Sequence, residues 1–434
     1  MKYMMLRIGF LSFSIMITRR DFVNRTLAGS VSLVTIPLLE FFQEDRKQDR
    51  KLSFRKDLNI PARLYDGKTC WCHPRAGIIP AQMKKGPPVV VMTMNILDLA
   101  GSDVFRAMYG LHTEDLGGRW SVPGELSALA PRMELIEGIE RPVAVSDFWP
   151  RWHSKTGSLL GTGHTVAYSP QWKVVSPRPR HTSYSVYDHD TKSWSLWKKL
   201  EMPDKMKFYN CGAGCTQRYD LPDGTILLPV SFTPPGSNSK VTVLRCSFDG
   251  TDLRYIQHGT ETGIEDGTRG LGEPSITKFD GTYFLTIRND KMGFVSKSAD
   301  GLDYEPVKPW MFDDGAGLGN YNTQQHWVTH SDGLFLVYTR RGAGNDHVFR
   351  HRAPLFMAQV DTRTLRIIRS TEVILVPERG ARLGNFGVTD VSRDETWVTV
   401  SEWMQPEGCD KYGSDGSVYA ARIKWDRPNR LFST

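Results

Sequence analysis

The chain has 434 residues, of which 40% are hydrophobic, 24% charged and 11% aromatic. These proportions are typical of a globular protein with a large core, and they exclude a disordered or collagen-like chain. The formal net charge is +7 and the isoelectric point is about 9.0, without a basic stripe, a zinc module or an RNA-binding motif. We therefore expect no nucleic-acid partner, whereas a diffuse positive charge can attract an anionic substrate.

The N-terminal segment predicts export. Residues 18–23 contain the pair Arg19-Arg20 and are similar to the twin-arginine export signal, and an apolar run, Leu27–Leu39, follows. This run is too short and too interrupted to span a bilayer comfortably. We expect residues 1–42 to be an export signal, 43–57 a linker and 58–434 one catalytic domain. The protein would then be periplasmic or extracellular, with a membrane contact only if the signal is retained; a chance basic pair before an amphipathic helix is the alternative.

The remainder of the chain predicts an all-β fold. No long stretch has helical periodicity, and short runs rich in β-branched and aromatic residues are bounded instead by Gly, Asp, Asn or Pro. The clearest runs are Val89–Met94, Val241–Cys246, Tyr283–Arg288, Leu334–Arg340 and Trp397–Glu402.

A repeated phrase indicates the architecture. An Asp-Gly turn followed by an apolar strand occurs at Asp223, Asp280 and Asp332, with a degenerate copy at Asp394, roughly 50–60 residues apart. Asp-Gly favours hairpin turns because both residues tolerate positive φ. A period of this length predicts a β-propeller of four-stranded blades. Six blades fit the chain length best, five or seven also fit, and a β-sandwich is the alternative fold.

A second phrase is a turn of a different kind. Residues 113–120, from Thr113 to Trp120, match the pattern S/T-x-D-x-G-x-T-W except at Arg119, and weaker copies begin at Ser247 and Ser298. In such a turn, called an Asp-box, the aspartate side chain accepts hydrogen bonds from the turn backbone.

The six cysteines lack the C-x-x-C spacing of zinc sites, which leaves disulfides and buried thiols as the two possible states.

An Asp-box within a β-repeat of this length resembles the sialidase (neuraminidase) superfamily, whose Asp-box or BNR-repeat propellers it matches over most of residues 70–405. The resemblance implies a first carboxylate-binding arginine at Arg75 and an acid at Asp103, with Asp98 as a less well placed rival. It also implies that Glu273 and Arg288 form a functional pair at the open ends of one hairpin. The third arginine would be Arg350 or Arg352.

One position departs from that family. The tyrosine nucleophile of sialidases corresponds to Phe386, which cannot attack an anomeric carbon. Tyr321 or Tyr338 would have to serve instead, or the chemistry differs from that of a sialidase. The resemblance also extends to propeller-type polysaccharide lyases, in which His and Tyr residues perform an elimination at a uronic acid.

Residue chemistry leaves both reactions open. Guanidinium groups bind carboxylates through two parallel donors, which favours sialic or uronic acids. In hydrolysis, Asp103 would protonate the leaving oxygen while Glu273 acts as base. In elimination, His73 is the best-placed base, because on a strand it shares a face with Arg75; a buried core histidine is the alternative. Tyr321 and His326 belong to a polar cluster suited to sugar hydroxyls, or to an ordinary hydrogen-bonded loop.

Three functions remain at this stage. The first is an exported, exo-acting glycosidase that removes a terminal acidic sugar from a glycan. The second is a polysaccharide or oligosaccharide lyase, and the third is a non-catalytic propeller that binds glycan or protein. We expect an acidic glycan as partner and no required cofactor or catalytic metal, although the loop at Asp313-Asp314 could hold a structural calcium ion.

Overall fold

Twenty-eight β-strands form six blades in the computed structural model, which describes residues 52–81, 87–101 and 103–432. The predicted export signal, residues 1–42, lies outside the described residues. Each blade is an antiparallel sheet built on four strands, so the predicted all-β propeller is confirmed and the blade number is six. No helix among the described residues is long and apolar enough to cross a membrane.

The first strand, β1 (Phe54–Arg63), precedes all six inner strands. Blade 1 contains β2 (Thr69–Ile79), β3 (Val89–Asp98), β4 (Phe105–Thr113) and β5 (Gly124–Glu125). Blade 2 contains β6 (Arg132–Ile136), β7 (Ile139–His153), β8 (Ser158–Ala167), β9 (Thr182–Asp188), β10 (Ser193–Trp194) and β11 (Lys198–Lys199). Blade 3 contains β12 (Cys211–Gly212), β13 (Tyr219–Asp220), β14 (Ile226–Phe232), β15 (Lys240–Phe248) and β16 (Leu253–His258).

Blade 4 contains β17 (Gly272–Phe279), β18 (Thr282–Arg288), β19 (Phe294–Ser298) and β20 (Lys308–Pro309). Blade 5 contains β21 (His326–His330), β22 (Gly333–Tyr338), β23 (Leu355–Asp361), β24 (Arg366–Ile367) and β25 (Val373–Val376). Blade 6 contains β26 (Phe386–Ser392), β27 (Glu395–Ser401) and β28 (Ser417–Trp425). Short 3₁₀ turns cover Ser127–Leu129, Phe349–His351, Arg369–Thr371 and Cys409–Tyr412.

The two ends of the described chain close the ring. Strand β1 pairs antiparallel with β28 and so becomes the outermost strand of blade 6. Phe54, at the start of β1, packs 5.4 Å from the ring of Trp425 and 6.4 Å from that of Phe335. The strand therefore begins inside the segment 43–57 that the sequence suggests as a linker, because its backbone completes a sheet.

The strand directions place one set of loops at one end of the propeller. In blades 1, 2, 4, 5 and 6 the inner strands are β2, β7, β17, β21 and β26. Each of them runs away from this end, and its antiparallel partner returns to it. The loop after the second strand of each blade therefore lies at the same end as the start of each inner strand. We call this end the mouth. Most of the residues singled out in the sequence lie on these segments.

The predicted Asp-box turns have a common hydrogen-bond pattern. Asp115 Oδ1 accepts from the Arg119 N–H at 2.8 Å, and Asp300 Oδ1 accepts from the Asp303 N–H at 2.9 Å. Asp249 accepts from two turn N–H groups in the same way. Their assignment as Asp-boxes stays a prediction.

All six cysteines lie within the described residues, and each is buried as a free thiol. Of the two states that the sequence left open, the structure has the thiols.

Candidate functional site

Three inner strands, β2, β7 and β17, each contain a residue in the left-handed region. His73, Asp147 and Glu273 have φ values of 55°, 49° and 45°, and each lies at a break in the strand register. Such a bulge re-aims a side chain that regular alternation would fix on one face of the sheet. The three residues come from blades 1, 2 and 4, and side chains of the first two meet near the propeller axis.

We call His73, Arg75, Asp147, Gln324 and Asn385 the axial cluster. Arg75 Nη2 donates to Asp147 Oδ1 and to Gln324 Oε1, both at 3.1 Å. His73 Nε2 lies 2.7 Å from Asn385 Nδ2 and 3.5 Å from Asp147 Oδ2. Because these residues come from blades 1, 2, 5 and 6, the contacts join blades across the axis.

The axial cluster is buried beneath the mouth. Arg75 has 0% of its surface exposed, and the rings of Phe105 and Trp403 cover His73 at 4.7 Å and 5.8 Å. Burial opposes ionisation of Asp147, but His73 and Arg75 outweigh it and lower the pKa of the carboxyl. Burial also lowers the pKa of His73, although the neighbouring Asp147 carboxylate opposes that shift. Arg75 is therefore engaged by protein groups rather than exposed at the mouth.

Glu273 and Arg288 form an ion pair that is open to the mouth. Arg288 Nη1 donates to Glu273 Oε1, and its Nη2 donates to Asn322 Oδ1. Their side chains are 21% and 15% exposed. Strands β17 and β18 bring them together because Gly272 pairs with Arg288 at the open end of the hairpin.

Three further arginines lie at the mouth on the side of blades 5 and 6. Arg350, Arg352 and Arg382 have no carboxylate partner among the described residues; Arg352 donates to the carbonyl of Asn322, and Arg382 to Gln405 Oε1 at 2.7 Å. Burial, reinforced by Arg288, lowers the pKa of Arg352, and burial with Arg350 lowers that of Arg382 to about 10. Guanidinium groups that lower one another's pKa repel each other, and a bound anion would offset this repulsion.

Asp103 is half-buried in the loop between β3 and β4. Its main-chain carbonyl accepts a hydrogen bond from the Tyr168 hydroxyl at 2.8 Å, which fixes the loop. Its carboxylate makes no ion pair with any described residue within 4 Å, yet it is near enough to influence the pKa values of His73 and Arg382. Asp103 is therefore an acidic side chain without an ion-pair partner among the described residues, and it lies near Arg382.

The tyrosines and histidines separate into two levels. At the mouth, the Tyr321 hydroxyl is hydrogen-bonded to His351 Nδ1 at 2.6 Å, and His351 Nε2 lies 3.2 Å from Asp346 Oδ1. His326 lies deeper and is fully buried, bonded to Ser275 Oγ at 2.8 Å.

Phe386 is as deep as His326, with the two rings 5.0 Å apart. Tyr338 is buried inside blade 5, where its hydroxyl donates to Glu372 Oε2 at 2.6 Å. Of the two tyrosines considered as replacements for the missing nucleophile, only Tyr321 lies at the mouth.

Several residues of this region were not anticipated from the sequence. Asp147 stands at a bulge inside a long strand, and Arg382 precedes an inner strand. Arg178 and Arg180 belong to the loop between β8 and β9, where a doubled arginine around Pro179 was the available signal. They line a mouth cavity of about 410 Å³ together with Glu273 and Arg288.

Metal ligands are not assembled here. Among the described residues, no group of three or more His, Cys, Asp or Glu side chains is arranged to hold a metal ion. In the loop considered for calcium, Asp314 is paired with Arg369 at 2.6 Å.

Comparisons with known proteins support the fold. No family model matches the chain, and no curated protein matches it either. A crystal structure of a protein of unknown function from Dyadobacter fermentans is similar, with a TM-score of 0.56 and 13% identity over 86% of this chain and 99% of that one. A Trypanosoma rangeli sialidase bound to the inhibitor DANA has a TM-score of 0.54 and 10% identity over 85% of this chain.

A Hadza microbial sialidase has a TM-score of 0.52 and 10% identity over 81% of this chain. The chain spans 59% of the trypanosomal sialidase and 65% of the microbial one. The protein therefore has a sialidase-like propeller fold.

Proposed function

We propose that this protein is an exported enzyme that binds an acidic glycan at the mouth and releases its terminal acidic sugar as a glycosidase. The observation that carries the proposal is the group Arg350, Arg352 and Arg382, which has no carboxylate partner in the described part of the chain and lies beside Glu273 and Asp103. Cations held this close without counter-ions favour an anionic ligand, and the adjacent carboxyl groups provide acid–base chemistry.

In the proposed hydrolysis, Asp103 protonates the leaving oxygen. Its carboxyl is suited to this role because no described residue neutralises it within ion-pair distance. Glu273 acts as the base that activates the nucleophile, with Arg288 fixing its orientation. The nucleophile is water or Tyr321, since Phe386 is buried and has no reactive atom. The arginines bind the sugar carboxylate, and no cofactor is required.

A specific observation also supports the elimination reaction. The Tyr321–His351 hydrogen bond of 2.6 Å places a hydroxyl donor and an imidazole side by side near the anion site. In a uronate lyase, arginine neutralises the carboxylate so that a base can remove the C5 proton, and a second group protonates the leaving oxygen. His351 and Tyr321 could fill these two roles. This lyase is the second candidate.

The first experiment is a screen of the purified chain against sialosides, uronosides and acidic oligosaccharides, with products measured by mass spectrometry. Hydrolysis adds one water to the products, whereas elimination adds none and creates a double bond that absorbs in the ultraviolet. We expect Asp103→Asn and Glu273→Gln to reduce hydrolysis by at least about 100-fold, in keeping with the usual contribution of acid–base groups.

The controls separate chemistry from folding. Asp314→Asn changes an exposed aspartate on the outside of the propeller and should leave activity unchanged. If elimination is the reaction, Tyr321→Phe abolishes activity while Glu273→Gln retains most of it. If no acidic glycan is cleaved but one binds, the enzyme proposal is wrong and the propeller is a binding module.

A further inference from the structure

The cavity of about 410 Å³ opens at the mouth between blades 2, 3 and 4, and neither Arg350 nor Arg382 lines it. Cavities of this size commonly hold small-molecule ligands. Its charged lining consists of four arginines and two carboxylates: Arg178, Arg180, Arg269, Arg288, Glu273 and Asp290.

Only two of the four arginines in this lining are paired with a carboxylate. Arg269 pairs with Asp290 at 2.6 Å, and Arg288 pairs with Glu273. Arg178 and Arg180 have no carboxylate partner among the described residues. Two positive charges therefore remain uncompensated on the blade 2 side of the cavity.

Arg180 is held in place before any ligand binds. Its Nη2 donates to the Ser231 carbonyl at 3.1 Å and to Ser231 Oγ at 3.2 Å, and its aliphatic stem lies against Gly212. Its main-chain N–H is bonded to Tyr209 at 3.1 Å. Burial, reinforced by Arg178, lowers the pKa of Arg180 to about 10. The Nε atoms of Arg178 and Arg180 are buried and donate to no described group.

Arg288 connects this cavity with the other arginines. It lines the cavity, and it also lies close enough to Arg350 and Arg352 to lower their pKa values. The mouth therefore has two uncompensated cationic sides, with the Glu273–Arg288 pair between them. One carboxylate on the terminal sugar can neutralise only one of these sides.

We propose that the substrate carries a second anionic group, a sulfate ester or a carboxylate on the sugar next to the terminal one, and that Arg178 and Arg180 bind it. This inference rests on the proposed function, since it assigns the substrate class of the same site. A doubly charged acidic oligosaccharide would then be preferred over a glycan with a single terminal charge.

Two pairs of defined glycans test the proposal. The first pair is sialyl-lactose and disialic acid, and the second is a glucuronate–N-acetylgalactosamine disaccharide without and with a sulfate ester. Binding to the full chain is measured by stopped-flow tryptophan fluorescence before turnover. In at least one pair, the doubly charged member should bind about tenfold more tightly or better, because hydrogen bonds to charged groups are strong. The pair that responds identifies the second group as carboxylate or sulfate.

Substitutions then locate the effect. Arg178→Gln combined with Arg180→Gln should remove the preference while leaving the affinity for the singly charged member unchanged, and Arg254→Gln, on the exposed rim of blade 3, should change neither. If the double variant melts at a lower temperature than the parent, Arg178→Gln alone carries the test, because the side chain bonded to Ser231 is that of Arg180.

Three results would overturn the proposal. If both members of each pair bind equally well, the second site does not exist, although the proposed function stands. An equal loss of affinity for both members in the double variant would show that Arg178 and Arg180 act on the whole mouth. If none of the four glycans binds, the proposed function fails together with this inference.

Discussion

Replacing Arg75 by methionine tests whether the axial cluster stabilises the propeller rather than binding substrate directly. The guanidinium is 0% exposed and donates to Asp147 and Gln324 at 3.1 Å. Removing one partner of a buried ion pair leaves the other charge uncompensated, which costs about 3–5 kcal/mol. Asp147 keeps His73 Nε2 at 3.5 Å. We therefore expect the lower end of that range, about 3 kcal/mol.

A double-mutant cycle measures this effect. Urea unfolding followed by tryptophan fluorescence gives the free energy of unfolding for Arg75→Met, for Asp147→Leu and for the two combined. The combined variant should lose less than the sum of the single losses, with an interaction energy of at least about 1 kcal/mol, because neither charge is left buried alone. The exposed Arg369–Asp314 pair is the control, and its removal should leave the free energy of unfolding nearly unchanged because solvent screens an exposed ion pair.

The opposite result would refute this account of Arg75. If Arg75→Met changes the free energy of unfolding by less than about 1 kcal/mol and raises KM for acidic glycans, the guanidinium is available to the substrate. The first arginine of the sialidase resemblance would then act on the ligand directly. A loss of stability without a specific change in KM supports the structural role.

The remaining predictions concern pH and packing. Burial lowers the pKa of several histidines, and for His181 to about 4, so these rings stay neutral in the folded protein where the unfolded chain protonates them. The free energy of unfolding should therefore have its full value above about pH 6.5. It should fall by about 2 kcal/mol per buried ring between about pH 6.5 and pH 5. Urea titrations at both pH values should show a smaller fall for His181→Gln than for His189→Gln, in the β9–β10 turn, and an equal fall would contradict the reasoning. Gly161→Ala should lower the unfolding free energy by about 1–3 kcal/mol in the same assay, because its Cβ would lie 2.1 Å from Phe148 Cε1, whereas Gly124→Ala meets nothing within 4 Å; equal stabilities would contradict it.

The blade architecture could be predicted because it depends on local chemistry. Asp-Gly turns occur between strands of blades 3, 4 and 5, and a degenerate copy occurs in blade 6, so the period is visible in the sequence. The pairing of Glu273 with Arg288 was also accessible, since a hairpin with a short turn brings its two open ends together. The structure places both residues as this layout implies.

The closing strand could not be predicted in the same way. Strand β1 is mostly exposed, because it is the outermost strand of blade 6 and buries little apolar surface. Its position depends on backbone hydrogen bonds with β28, which begins more than 350 residues later. A polar sequence with weak alternation contains no information about such a partner, and the composition of residues 54–57 therefore predicts a linker.

The sequence also does not predict which of the arginines is buried. Arg75 and Arg288 have the same side chain and a comparable place in the resemblance, yet one is enclosed by Asp147 and Gln324 and the other is open to the mouth. The difference arises from residues that are distant in the sequence. Gln324 belongs to blade 5, and only closure of the ring brings it against blade 1.

The bulges at His73, Asp147 and Glu273 explain how the propeller brings reactive groups to its axis. A non-glycine residue in the left-handed region costs about 1–3 kcal/mol, and glycine would adopt that conformation without strain. The chain nevertheless has an imidazole and two carboxyl groups at these positions, in three separate blades. The strained positions are those at which the side chain, and not the backbone, makes the contacts. A requirement for these side chains therefore explains why glycine is not used there. The same bulges hold the axial cluster together and present Glu273 to the mouth, so that stability and the proposed chemistry depend on one backbone feature.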